Sequence, residues 1–196
     1  MTTPTIILAS SSQYRRALLD RLGLNYRALA PDVDESAQPG EAPAALTERL
    51  AQAKAQAMAE QYPDSLIIGS DQVVSLDGHM LGKPGGHQAA IAQLERLSGR
   101  QACFLTGLCL LNTATGQMQS HCDAFWVWFR QLSAAKIATY VERERPYDCA
   151  GAFKSEGLGI ALFTRLQGED PNSLIGLPLI RLITMLEQEG VDVLMD

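Results

Sequence analysis

The chain has 196 residues, 46% of them hydrophobic, with 16 Lys and Arg against 22 Asp and Glu for a formal charge of −6. That much apolar material buries a substantial core and excludes a disordered chain, while the net acidity disfavours non-specific attachment to nucleic acid or an anionic membrane. No apolar run approaches the ~20 residues that span a bilayer, and Met1 to Pro4 lacks the zones of a secretory signal, so a cytoplasmic location is expected.

Ile6 to Ala9 form an apolar run suited to a buried strand, and Ala17, Leu18 and Leu22 recur at helical spacing beyond it. Between them Ser10, Ser11 and Ser12 occupy a strand-to-helix turn, followed by Arg15 and Arg16. Backbone N–H groups at a helix start lack partners and the macrodipole is positive there, so phosphate is the first candidate occupant. A serine cap with both arginines in solvent is the alternative. Tyr26 to Leu29 is expected to be extended. A loop with Asp32, Asp34 and Glu35 and the stretch "AQPGEAP" then lead into a long helix. Leu46, Leu50, Ala53 and Ala57 fall on one face of it, with Lys54 at the margin, stem packed and ammonium reaching outward.

"SLIIGSDQVVSLDG" is a buried-strand pattern that ends in an Asp-Gly turn at Asp77 and Gly78. "LGKPGG" places Lys83 in a loop before a helix through Ala89 to Leu97. Cys103 to Leu111 and Phe125 to Arg130 read as strands joined by "NTATGQ", with "FWVWF" expected to pack on both faces. "SAAKIATYVERE" is a serine-capped helix, "CAGAFKSEGLG" a glycine-rich stretch, and "GLPLIRLITMLEQEG" a closing helix with Pro178 near its first turn. Strands alternating with helices argue for an α/β fold: a mixed sheet covered by helices, in one domain spanning 1–196, with two lobes.

Asp71 is the most informative residue, because it sets a carboxylate between two apolar runs where burial is costly without a cation or hydrogen bonds. A serine–aspartate turn satisfied by backbone is one reading; a metal ligand or general base is the other. Hard divalent cations prefer oxygen ligands, so Asp71 and Glu35 are candidates to share one with substrate phosphates. Arg15, Lys54, Lys83 and Lys154 each stand beside a turn or an apolar face, suited to surround one polyphosphate within an acidic chain. Cys103, Cys109, Cys122 and Cys149 include no C-x-x-C pair and read as mostly buried thiols, and His79, His87 and His121 lack metal-ligand spacing. Neither a P-loop nor a G-x-G-x-x-G fingerprint is present. The residues alone lead to a metal-assisted phosphate enzyme.

"LASSSQYRRALLDRLGLNY", "PDVDES", "RLAQAKAQ", "IIGSDQVV", "LGKP", "GAFKSEGLG" and "DPNSLIGLPL" occur in this order, and together they resemble the Maf family of nucleoside triphosphate pyrophosphatases. The resemblance implies a Maf/Ham1-like mixed twisted sheet flanked by helices, with two lobes around a substrate cleft. It also implies a divalent cation, Mg²⁺ or Mn²⁺, hydrolysis of a nucleoside triphosphate to the monophosphate and diphosphate, and a plausible homodimer. By this carry-over Ser10 and Arg15 hold phosphates, Lys54 and Lys83 neutralise them, Glu35 assists the metal or water, and Asp71 is the proton acceptor.

Within the family, the positions matching Tyr14, Gln72 and Glu156 separate two subgroups. Arginine, threonine and glutamine resemble dTTP/UTP pyrophosphatases; tryptophan, glutamine and glutamate resemble 7-methyl-GTP pyrophosphatases. This chain follows the second pattern at Gln72 and Glu156, and Tyr14 departs from it. The resemblance therefore implies a house-cleaning enzyme that removes 7-methyl-GTP. A broader or dTTP/UTP-type pyrophosphatase, and a regulatory nucleotide-binding module linked to septum formation, are the other readings.

Overall fold

In a computed structural model that describes residues 4–195, the first apolar run is strand β1 (Thr5–Ala9) and the segment after the serines is helix α1 (Gln13–Asp20). Residues 1–3, and with them most of the terminus read above, lie outside the described residues. There follow β2 (Tyr26–Leu29), α2 (Pro43–Gln56), β3 (Ser65–Leu76), β4 (His79–Leu81) and α3 (His87–Leu97). The second half contains β5 (Gln101–Asn112), β6 (Met118–Phe129), α4 (Ala134–Glu144), β7 (Phe163–Gln167) and α5 (Leu179–Gln188). Among the described residues these strands form a seven-stranded sheet in the order β2-β1-β3-β5-β6-β7, with β4 also on β3. β1 runs parallel to β2 and β3, and the other pairs are antiparallel, so the sheet is mixed as expected.

β3 runs through both halves of the molecule. On one edge its residues Ser65 to Gly69 pair with β1, and Val74 to Leu76 pair with β4. On the other edge β5 accompanies it from Leu66 to Ser75. Residues 70–73 therefore lie where β1 has ended and β4 has not begun. Asp71 is in that gap.

Three apolar clusters build the two lobes. On one face of the first lobe, Leu18 and Leu19 of α1 and Leu182 and Leu186 of α5 pack on Ile6, Leu8, Leu66 and Ile68. On the opposite face Ala51 and Ala55 of α2 pack on Ile7, Ala9, Ile67 and Cys109. The second lobe gathers Leu94 of α3 and Val141 of α4 around Val74, Phe104, Val127 and Phe153, with Phe153 and Phe163 meeting edge to face at 4.8 Å between ring centres.

The α2 stripe differs from the expected one. Leu46, Leu50, Ala51, Lys54 and Ala55 are buried, Ala53 is half-buried and Ala57 exposed, and Lys54 points inward at only 5% exposure. Two glycines explain how close this helix lies. A Cβ on Gly69 would stand 2.0 Å from the Ala51 carbonyl oxygen, and one on Gly107 2.1 Å from that of Thr47. Gly107 is the cross-strand partner of Asp71, so the absent side chains bring the helix backbone down beside that carboxylate. β6 begins well before Phe125, and its "FWVWF" segment is packed on one face instead of two: Phe125, Val127 and Phe129 are buried, while Trp126 is exposed and Trp128 carries the Arg165 guanidinium 4.6 Å from its ring centre.

Placing a methyl between sheet and helix is expected to cost about 1–3 kcal/mol through overpacking. In thermal unfolding, Gly107→Ala should lower the midpoint by about 2–12 °C. Gly82→Ala, whose Cβ would meet no atom within 4 Å, should leave it unchanged.

Candidate active site

The gap in β3 pairing opens a cleft of about 610 Å³ between the lobes. Its walls come from the serine turn and α1, the loop bearing Glu35, the buried side of α2 at Leu46, Leu50 and Lys54, β3, the Lys83 loop and the segment from Asp148 to Glu156.

The serine turn carries the expected serine cap, but not with both arginines in solvent. Ser12 is the α1 N-cap and its hydroxyl accepts from the Arg15 amide at 3.4 Å, while the Ser10 hydroxyl accepts from the Ser12 amide at 3.1 Å. The turn nevertheless lines the cleft, and Ser10 is buried at its base. Of the two arginines, Arg16 is exposed and Arg15 turns inward. The Arg15 Nε donates to the Gly176 carbonyl at 2.8 Å, and the Ser70 hydroxyl donates to the same oxygen at 2.9 Å. Burial pulls the Arg15 pKa down, and the nearby Asp71 and Glu35 carboxylates oppose that pull. A guanidinium so placed stays charged and keeps its outer nitrogens for an anion.

Asp71 and Glu35, distant in sequence, meet across one ammonium. Lys54 Nζ lies 2.6 Å from Asp71 Oδ1 and 2.7 Å from Glu35 Oε1. The Lys54 and Asp71 side chains are 7% and 11% exposed, against 56% for Glu35. Asp71 thus has the cation its burial demanded, and the backbone-satisfied turn is not needed to explain it. For Glu35, burial works to raise the pKa, but the Lys54 hydrogen bond and charge, with Lys83 and Arg15, hold it below the usual carboxylate value. Lys83 lines the cleft from an exposed loop. Among the described residues no group of three or more His, Cys, Asp or Glu is placed to hold a metal ion, so the expected carboxylate pair stands without a third such ligand.

Tyr14, Gln72 and Glu156 line the same cleft. The Tyr14 hydroxyl donates to Asp148 Oδ1 at 3.2 Å, linking the two lobes, and burial raises its pKa, helped by Cys149 and Asp148. Gln72 Nε2 donates to Thr106 Oγ1 at 3.0 Å and to the Ser173 and Leu174 carbonyls at 2.7 and 3.3 Å. Its amide nitrogen is therefore committed inward. Glu156 is exposed, with the Ser155 hydroxyl 3.4 Å away.

Lys154 does not join the other cations. It is absent from the cleft wall, and its Nζ donates to the Glu144 carbonyl at 2.7 Å, at the C-terminal end of α4 where the helix dipole favours a cation. Cys149 does line the cleft, but burial pushes its thiol pKa up to about 12, which leaves it protonated and poorly nucleophilic at neutral pH.

Sequence reasoning missed Gly176 and Asp148. Gly176 holds φ +118°, a conformation that suits glycine, and the glycine between two leucines in "SLIGLPL" was the available signal. Asp148 is an acidic residue in an ordinary loop and carries no local mark.

A family model described as Maf-like protein matches residues 5–189. The chain is 57% identical over 189 residues to the 7-methyl-GTP pyrophosphatase of Alcanivorax borkumensis, with 96% of each chain covered. It is 54% identical over 190 residues to the 7-methyl-GTP pyrophosphatase of Pseudomonas aeruginosa, covering 97% of this chain and 99% of that one. The Ham1 protein of Staphylococcus aureus superposes with a TM-score of 0.57 at 17% identity over 94% of this chain and 99% of that one, a likeness of fold. With a family match across nearly the whole length and relatives above half identity, this protein belongs to the Maf family.

Proposed function

We propose that this chain is a nucleoside triphosphate pyrophosphatase that hydrolyses 7-methyl-GTP to 7-methyl-GMP and diphosphate, clearing a modified nucleotide before polymerases incorporate it. The observation that carries the reading is the meeting of Arg15, Lys54 and Lys83 with Asp71 and Glu35 in one cleft of triphosphate-compatible size. The names of relatives at 57% and 54% identity support the substrate.

Arg15, Lys54, Lys83 and the Ser10 turn bind the phosphate chain, and their positive charge meets the charge that develops on departing diphosphate. Phosphate oxygens compete with Asp71 and Glu35 for the Lys54 ammonium. Asp71, so released, orients a water toward the α-phosphorus and accepts its proton. The donor set suits a divalent cation, since two carboxylates with Glu35 half exposed offer oxygens that substrate phosphates and water complete. Asp71 and Glu35 are the residues that would hold Mg²⁺ or Mn²⁺. When bound, the cation neutralises phosphate charge and lowers the pKa of bound water.

The base site presents acceptors. With Nε2 committed, Gln72 has Oε1 left to offer, and Glu156 offers a carboxylate. Guanine supplies matching donors in N1–H and its exocyclic amine, an arrangement pyrimidines lack. N7 methylation makes the base cationic, and the Tyr14 ring favours it by roughly 0.5–2 kcal/mol.

Diphosphate release across a panel of 7-methyl-GTP, GTP, dTTP, UTP and CTP should show the highest kcat/KM for 7-methyl-GTP; dTTP or UTP preference would refute the substrate while leaving the reaction. EDTA should abolish turnover, and added Mg²⁺ or Mn²⁺ should restore it. Asp71→Asn should lower kcat by about 10²–10⁴-fold while keeping the fold and nucleotide binding; near-normal turnover would remove Asp71 from the proton-transfer step.

A further inference from the structure

Glu156 sits at the middle of the loop from Lys154 to Leu158, and its own side chain is fixed by little more than the neighbouring Ser155 hydroxyl. Its placement in the cleft depends on the loop that carries it. That loop is fastened at both ends to the last turn of α4. At the first end, the Lys154 amide donates to the Tyr140 hydroxyl at 2.9 Å, and the Lys154 ammonium donates to the Glu144 carbonyl at 2.7 Å. At the second end, the Leu158 amide donates to Glu144 Oε1 at 3.2 Å. Glu144 therefore grips both ends, one through its backbone and one through its side chain.

The loop is also closed on itself. The Lys154 carbonyl accepts from the Gly157 amide at 3.2 Å and the Gly159 amide at 3.0 Å. A Cβ on Gly157 would lie 2.8 Å from Glu144 Oε2, and one on Gly159 2.2 Å from the Lys154 carbonyl oxygen, so the two glycines let the loop seat against its anchors. The α4 end supplies the Glu144 carbonyl and the negative end of the helix dipole, a favourable seat for an ammonium.

We propose that Lys154 and Glu144 are positioning residues for substrate selection: together they hold the loop so that the Glu156 carboxylate faces the base of a purine nucleotide with a donor-rich edge. This rests on the 7-methyl-GTP reading above. Neither residue touches substrate. Loss of the tether leaves the phosphate site intact and lets Glu156 drift, so binding and selection fall before catalysis does.

The test is a double-mutant cycle on kcat/KM for 7-methyl-GTP and UTP, with Lys154→Met and Glu156→Gln alone and combined. Lys154→Met keeps the apolar stem and removes the ammonium. Because an ångström of misplacement costs up to about 10²-fold, we expect at least about a tenfold fall in the 7-methyl-GTP/UTP ratio, carried by KM, with kcat for UTP little changed. In the Glu156→Gln background Lys154→Met should add no further loss. Lys154→Arg should restore the ratio. Glu144→Gln, which keeps an oxygen for the Leu158 amide, should behave as the parent, and Glu144→Ala as Lys154→Met, which provides a second route should the Lys154 variant fold poorly. Additive losses in the cycle, or equal losses on both nucleotides, overturn the tether. An unaltered ratio in Glu156→Gln alone instead overturns the base-recognition reading beneath it.

Discussion

The site depends on a single buried ammonium. Lys54 enters the sheet's face where an unpaired charge would be prohibitive, and two carboxylates make that tolerable. The dependence runs both ways, since Asp71 would be as costly alone. Removing one member leaves an uncompensated charge for the other, so packing stability and the proposed phosphate chemistry draw on the same three side chains. What permits the contact is steric: without Cβ atoms at Gly69 and Gly107, the α2 backbone comes down onto β3 and β5 and sets the lysine stem at the right depth.

Around that contact the two lobes contribute different chemistry. The first lobe supplies the serine turn, Arg15 and Lys54, the groups proposed to bind phosphate; the second supplies Lys83 and the loop with Glu156. The segment from Asp170 to α5 braces the join. The buried Asp170 carboxylate accepts from the Asn172 amide at 2.8 Å and the Ile180 amide at 2.7 Å, fixing a turn whose Gly176 carbonyl aims Arg15 and whose Ser173 carbonyl aims Gln72. The Ser173 hydroxyl in turn donates to the buried Asp123 carboxylate. One short stretch therefore orients Arg15 and Gln72, the proposed phosphate and base contacts, at once.

Much of this was legible in the chain. A carboxylate between apolar runs announced Asp71, and serines between strand and helix periodicity announced the turn. The α2 stripe was not legible because alanine suits either side of a helix: Ala51 and Ala55 face the sheet in place of Ala53 and Ala57 because the helix backbone there rests on Gly69, as it does at Thr47 on Gly107, a tertiary fact. The early start of β6 was hidden by polar residues, "MQSHCDA", that lack an apolar alternation. Lys154 looked like its fellow cations, since nothing local distinguishes a lysine that reaches a phosphate from one that caps a helix end. Contacts such as Arg15 to Gly176 and Tyr14 to Asp148 join residues 161 and 134 positions apart and leave no local pattern.

The unbroken β3 has a mechanical consequence. A two-lobed enzyme usually invites the image of jaws that close about a hinge. Here the floor common to both lobes is one strand of 12 residues, laddered to β5 along nearly all its length. Swinging the lobes together would bend that double strand across its hydrogen bonds. Compliance is left to the rim, in the loops bearing Glu35 and Lys83, while the distances between Asp71, Gln72 and their supports are held by the spine. The fold resembles a vice whose bed is fixed, so the attack geometry proposed above would be set by the spine before a nucleotide arrives.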